Sequence, residues 1–173
     1  MNTDELTELV KQHGTSIYAF CYRLEGNKAD ADDLYQETFL RAVEMRSRID
    51  TARNPRAFLA TIAIQVHRNI CRKLARRLRL APTAKLDAME LSDPSGTACT
   101  PEDAVLAIER QTLIQHAAHQ LNDKHRLPLY MHYTAGMTIE EIAAALKLPE
   151  GTIKSRLHKA RQTLRKALEV HSL

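Results

Sequence analysis

Met137 to Leu168 reads MTIEEIAAALKLPEGTIKSRLHKARQTLRKAL, and its spacing of apolar residues decides the fold class. Thr138 followed three residues later by Glu141 is a capping box, which satisfies unpaired backbone N–H groups at a helix start. Ile139, Ile142, Ala143 and Leu146 then recur at helical spacing and give a short helix its inner face. Lys147-Leu148-Pro149 breaks the pattern. A second helix starts near Pro149 to Gly151, with Ile153, Leu157, Ala160, Leu164 and Ala167 as its buried stripe. Two helices joined by so short a turn make a helix-turn-helix. The outward face of the second helix carries Thr152, Lys154, Ser155, His158, Lys159 and Gln162, flanked by Arg156, Arg161 and Arg165. Such side chains read base edges in a groove and clamp phosphates. Short amphipathic helix pairs also serve as plain packing units, so the pattern gains weight only from the rest of the chain.

Working outward, Glu102 to Gly136 holds two further amphipathic stretches that complete a four-helix domain around the reading helices. His125, His132 and His158 lack the spacing of metal ligands, and no metal or other cofactor is expected. Before that domain, Leu80 to Asp103 loses periodicity and scatters Pro82, Pro94, Gly96 and Pro101 among Ser, Thr and Asp. That composition reads as an extended connection. Residues up to about Leu80 are again helically periodic, and no stretch alternates as a strand would. The expected architecture is all-α: two small helical domains, 1–80 and 102–173, joined by a flexible acidic linker at 81–101, the second a four-helix domain with a helix-turn-helix.

Charge is sorted along the chain. Net charge is −4 over residues 1–50, +9 over 51–85, −6 over 86–109 and +5 over 110–173, so a total of only +4 conceals two basic segments. Two separated basic segments suggest two contacts with a polyanion. With 44% hydrophobic and 27% charged residues the composition is that of a globular chain. No run approaches the roughly 18–20 apolar residues of a membrane span, and the start carries Asp4, Glu5 and Glu8 where a signal peptide would be basic. No stable membrane insertion and a cytoplasmic location are therefore expected. Cys21, Cys71 and Cys99 form no CxxC pair and read as reduced thiols.

The first basic segment begins at Asn54-Pro55, a helix cap followed by proline at the first helical position, and the helix runs through Arg79 without a breaker. Leu59, Ile62, Ala63, Val66 and Ile70 form its expected buried stripe. Thr61, Gln65, Arg68, Arg72, Arg76 and Arg79 fall within a sector of about 80° on the other side. Guanidiniums in a row suit a phosphate backbone, and the amides of Gln65 and Asn69 are able to read bases. A merely solvated helix is the weaker reading for 9 positive and 0 negative charges over 51–85. The preceding helix, Asp30 to Arg46, turns Leu34, Tyr35, Thr38, Phe39 and Ala42 to one side. Opposite lie Asp33, Gln36, Glu37, Leu40, Arg41 and Glu44. That face is either plain solvated surface or, with one leucine inside a charged rim, a partner-binding face.

These stretches resemble a known family. DADDLYQETFLRA (Asp30 to Ala42) and GMTIEEIAAALKLPEGTIKSRLHKARQTLRKAL (Gly136 to Leu168) are similar, in order and spacing, to the polymerase-clamp helix and the promoter-reading helix-turn-helix of extracytoplasmic-function sigma factors. The resemblance covers nearly the whole chain. It implies that Asp33, Gln36, Glu37 and Arg41, with Leu40 at the centre of their face, bind core RNA polymerase. It implies also that the basic helix melts and captures the minus-ten element, with Gln65 and Asn69 at base-contacting positions. Lys154, Ser155, His158 and Lys159 match the minus-thirty-five reading positions, and Arg156 a backbone contact. Promoter DNA, core polymerase and an anti-sigma factor are the implied partners. Gln65 stands where the family commonly has Asn, and Phe58 where it has Trp. After Leu168 five residues remain, so the C-terminal regulatory domains of some relatives are not expected. A dimeric repressor or activator using the same helix-turn-helix is the competing reading, and the acidic helix speaks against it. An enzyme is the third. The chain has no carboxylate cluster with ligand spacing, no nucleophile-and-base arrangement and no Gly-rich phosphate loop, so no catalytic residue is expected.

Overall fold

The computed structural model describes residues 3–45, 54–80 and 101–171, and these form seven helices with no strand among them. The linker expected at 81–101 lies, but for its last residue, outside the described residues. In the first half, α1 (Thr3–Glu25), α2 (Lys28–Glu44) and α3 (Pro55–Leu80) pack on one another. The turn between α1 and α2 follows from two residues. Gly26 takes φ +79 and donates its N–H to Tyr22 O at 2.8 Å, closing α1 in the left-handed conformation that costs a side chain most. Asn27 then caps α2 by accepting from the Asp30 N–H at 2.9 Å.

The expected faces of α2 appear as read. Leu34, Thr38 and Ala42 are buried, Tyr35 and Phe39 are partly so, and the Thr38 hydroxyl resolves its burial by donating to Leu34 O at 2.6 Å. Asn54 caps α3 by accepting from Ala57 N at 3.1 Å, with Pro55 at the first helical position. The stripe of α3 is buried at Leu59, Ile62, Ala63 and Val66, but Ile70 is 41% exposed, which corrects the sequence reading. Beyond it every residue to Leu80 is exposed, Leu74 and Leu78 included. The periodicity of α3 outlasts its burial: His67 is the last buried residue of the helix, and Arg68 and Asn69 are half-buried.

The second half is built from α4 (Pro101–His119), α5 (Asp123–Tyr133), α6 (Ile139–Leu146) and α7 (Glu150–His171). The capping box of α6 is complete, Thr138 accepting from Glu141 N and Glu141 accepting from Thr138 N at 2.9 Å. Lys147 ends α6 in the left-handed region at φ 55, and Leu148 N donates to Ala143 O at 3.0 Å, so the last carbonyls of α6 are satisfied within the turn. Ile142, Ala143 and Leu146 of α6 and Ile153, Leu157 and Ala160 of α7 are buried together, while Leu164 and Ala167 are half-buried.

The halves touch. Arg56 donates to Thr134 O at 2.6 Å, Arg23 to the Thr134 hydroxyl at 3.3 Å, and Asn54 Nδ2 to Glu141 Oε1 at 2.9 Å. Asn54 thus caps α3 with one side-chain atom and reaches the cap of α6 with the other. Buried apolar residues of both halves form one cluster that runs from Ile17 to Ala160.

Candidate nucleic-acid interface

On α7, Lys154, Ser155, His158 and Lys159 are exposed, while Thr152 and Arg156 are half-buried. Lys154 lies 3.9 Å from Glu150 one turn back, an exposed pair that holds the amine loosely and leaves it available to an anion. Arg161 is exposed but donates to the Tyr133 hydroxyl at 3.4 Å, so it sits at the flank of the face, toward α5. Gln162 and Arg165 are exposed further along. The first turn of this helix is closed by the N–H groups of Thr152 and Ile153, which both donate to Pro149 O, at 3.0 and 3.2 Å.

On α3, Gln65, Arg72 and Arg76 are exposed, and Arg68 and Asn69 are half-buried. Thr61 is half-buried and its hydroxyl donates back to Ala57 O at 2.8 Å, which leaves its lone pairs as the group's outward chemistry. The arginine row runs onto the uncovered end of the helix. Among the described residues nothing packs on this rod of about 15 Å, and its arginines face outward where a polyanion can reach them.

The acidic face of α2 has the expected form. Asp33, Gln36 and Leu40 are exposed, Leu40 at 61%, and Glu37 and Arg41 are half-buried. Arg41 Nε donates to Glu37 Oε1 at 2.8 Å, so the two charges lie along the helix and frame the leucine.

Two features escaped the sequence reading. His67 and Glu25, 42 positions apart, meet at 2.7 Å between α3 and α1 with almost no exposure. Burial works against a charge on His67, but its hydrogen bonds to Cys71 and Glu25 and the Glu25 charge outweigh it and push its pKa up to about 9. The other is an apolar cleft of about 280 Å³ where α1 meets the second half, lined by Arg23, Ala118, Leu129, Tyr130, Tyr133 and Leu164. Neither has a local signature, because each joins helices distant in sequence. Among the described residues no group of three His, Cys, Asp or Glu side chains is placed to hold a metal ion, and no helix is long and apolar enough to cross a membrane.

An all-α chain with a helix-turn-helix on one half and an arginine-lined helix on the other defines a DNA-binding protein of the transcription-factor class. Comparison with known proteins narrows this. The Sigma-70 region 2 model matches residues 9–77, and the Sigma-70 region 4 model matches residues 117–166. The ECF RNA polymerase sigma factor SigW of Bacillus subtilis is 32% identical over 95% of this chain and 89% of its own. SigL of Mycobacterium tuberculosis is 37% identical over 93% of this chain and 87% of its own. Among solved structures, the sigma factor RpoE of Bartonella quintana, in complex with the anti-sigma factor NepR, has the same fold. It superposes with a TM-score of 0.79 at 23% identity, over 98% of this chain and 99% of that one. The chain belongs to the extracytoplasmic-function RNA polymerase sigma factors. It works with core RNA polymerase and directs transcription initiation to specific promoters.

Proposed function

We propose that the chain divides its work between residues 1–80, which bind polymerase and open the minus-ten element, and residues 102–173, which read the minus-thirty-five element. In this reading Asp33, Gln36, Glu37, Leu40 and Arg41 form the polymerase contact. The observation that carries it is Leu40, 61% exposed inside a rim of carboxylates, an amide and a guanidinium, since an apolar centre with a polar rim is the anatomy of a protein interface. Arg68, Arg72 and Arg76 hold the strand backbone, with Thr61 beside them, and Gln65 and Asn69 capture unstacked bases. Lys154, Ser155, His158 and Lys159 read the upstream groove, with Thr152, Arg156 and Arg161 at its backbone. Each contact is weak alone, and riding on polymerase joins them in effective concentration.

The protein performs no catalysis in this account and acts in the cytoplasm. Its regulator is an anti-sigma protein, as NepR is for the relative RpoE. The apolar cleft lined by Arg23 of α1 and by Leu129, Tyr133 and Leu164 suits an apolar helix face of such a partner. Run-off transcription with core polymerase on a promoter library tests the polymerase contact, comparing wild type with an Asp33→Ala, Glu37→Ala double variant. Promoter-specific transcripts that fall in the variant are expected. Undiminished transcripts would move the polymerase contact off α2, and specific DNA binding without polymerase would point to an autonomous regulator.

A further inference from the structure

Cys71 lies on α3 beside the arginine row, three residues after Arg68 and one before Arg72, with its side chain exposed. Its sulfur is 3.6 Å from His67 Nε2, one turn back. The other ring nitrogen, Nδ1, is taken by Glu25 Oε1 at 2.7 Å, a carboxylate that arrives from α1. Two helices therefore build one cluster: an accessible thiol, an imidazole turned to it, and a carboxylate that fixes the ring and stabilises its positive charge. Nucleophile, cationic imidazole and orienting carboxylate in this order make up an arrangement that activates a thiol by stabilising its thiolate. The promoter contacts proposed above include none of the three.

Cys21 supplies an internal contrast. It is fully buried, and burial together with the negative charge of Glu25 pushes its thiol up to about 12. The same carboxylate that opposes ionisation at Cys21 acts at Cys71 through an imidazole. One thiol is inert and the other is exposed to solvent solutes.

We propose that Cys71 is an oxidation site for hydroperoxides, with His67 as the cationic partner of its thiolate and Glu25 as the residue that positions His67, and that its oxidation weakens the hold of α3 on promoter DNA. The thiol gives its proton up to water, and the thiolate, held by the N–H at Nε2 of the charged His67 ring, attacks one peroxide oxygen. The S–O bond forms as the O–O bond breaks. The electron pair leaves with the second oxygen, which takes the proton from His67 and departs as water or an alcohol, and His67 regains a proton from water. Cys71 loses two electrons and becomes a sulfenic acid, and the hydroperoxide is reduced. The new group stands next to Arg68 and Arg72, where a polar, ionisable oxygen competes with DNA phosphates for the guanidiniums. This last step rests on the placement of α3 at the promoter.

The test treats the full-length chain with hydrogen peroxide and a 1,3-diketone that traps sulfenic acid, and reads each cysteine peptide by mass spectrometry. Trapping at Cys71 should run about 10-fold or more above its rate in the guanidinium-unfolded chain, and Cys21 should stay unlabelled. His67→Gln should bring Cys71 down to the unfolded-chain rate. Because replacing a buried histidine can itself unfold the first half, Glu25→Gln is measured beside it, with thermal melting to establish that it is folded. It should slow trapping in the folded protein and leave the unfolded-chain rate unchanged. In run-off transcription with core polymerase, peroxide should suppress wild-type transcripts, dithiothreitol should restore them, and Cys71→Ser should transcribe alike with and without peroxide. Equal trapping in wild type and in a folded Glu25→Gln variant would overturn the proposal, as would wild-type transcription as resistant to peroxide as that of Cys71→Ser. Untreated wild type separates this from the promoter reading, which fails only if no transcripts form before oxidation.

Discussion

Gly26 and His67 are single positions on which much of the first half depends, for unlike reasons. Gly26 holds φ +79, and a Cβ there would stand 2.9 Å from the ring of His119 in α4. Gly26→Ala therefore combines left-handed strain with a clash at the junction of the halves, and should cost about 1–2 kcal/mol, read as a lower Tm with unchanged helix content. His67 makes stability depend on pH. Its pKa is raised from 6.5 to about 9 by Cys71 and Glu25 against the opposing effect of burial, so the folded state binds a proton that the unfolded chain releases more easily. That contribution is complete below about pH 6.5 and is lost as pH rises through 9. Denaturant midpoints should fall between pH 6 and pH 9.5 by the equivalent of about 1–2 kcal/mol, and the fall should be much smaller in Glu25→Gln. A flat profile in wild type would mean that the ion pair contributes nothing net.

Helix α3 changes character along its length. Up to His67 it is a core helix, buried at Leu59, Ile62, Ala63, Ile64 and Val66, and from Ile70 it is an exposed rod that carries Arg72 and Arg76. A rod that bears charge and contributes little to the core should tolerate substitution without loss of stability. Arg72→Ala and Arg76→Ala should each leave the Tm within about 0.5 kcal/mol equivalent. Each should also reduce the magnitude of the slope of log K against log salt, for promoter binding by the holoenzyme, by about 1. A slope that does not move would remove those arginines from the phosphate contact. Helices α6 and α7 behave differently, because their short turn is satisfied internally through Lys147, Leu148 and Pro149. The same local closure is why the turn and both helix starts were legible in the residues themselves.

Across the whole molecule, Asn54 and Glu141 join the start of α3 to the start of α6. Each performs the capping role its local sequence assigns, and each has one atom left over with which it meets the other. Asn54→Asp isolates that link, since Asp is as good a cap for α3 as Asn but turns a carboxylate instead of an amide donor toward Glu141. The variant should lose about 1 kcal/mol in chemical denaturation, comparable to Asn54→Ala despite its intact cap. An Asp variant as stable as wild type would show that the junction of the halves does not depend on this contact.

The capping box at Thr138 and Glu141, the cap at Asn54 and the sorted faces of α2 and α7 were all determined by sequence alone, because helix starts and amphipathic faces are set by residues within a few positions of one another. The arginine row and the exposed Leu40 followed from the same periodicity. What periodicity lacks is the length over which a face finds something to cover it. Ile70, Leu74 and Leu78 continue an apolar stripe that nothing among the described residues buries. The pairing of His67 with Glu25, the second bond of Asn54 and the cleft at Arg23 and Leu129 were decided only by tertiary structure. Each is a meeting of side chains from helices far apart in the chain, fixed by how whole helices pack and not by any residue's own neighbours.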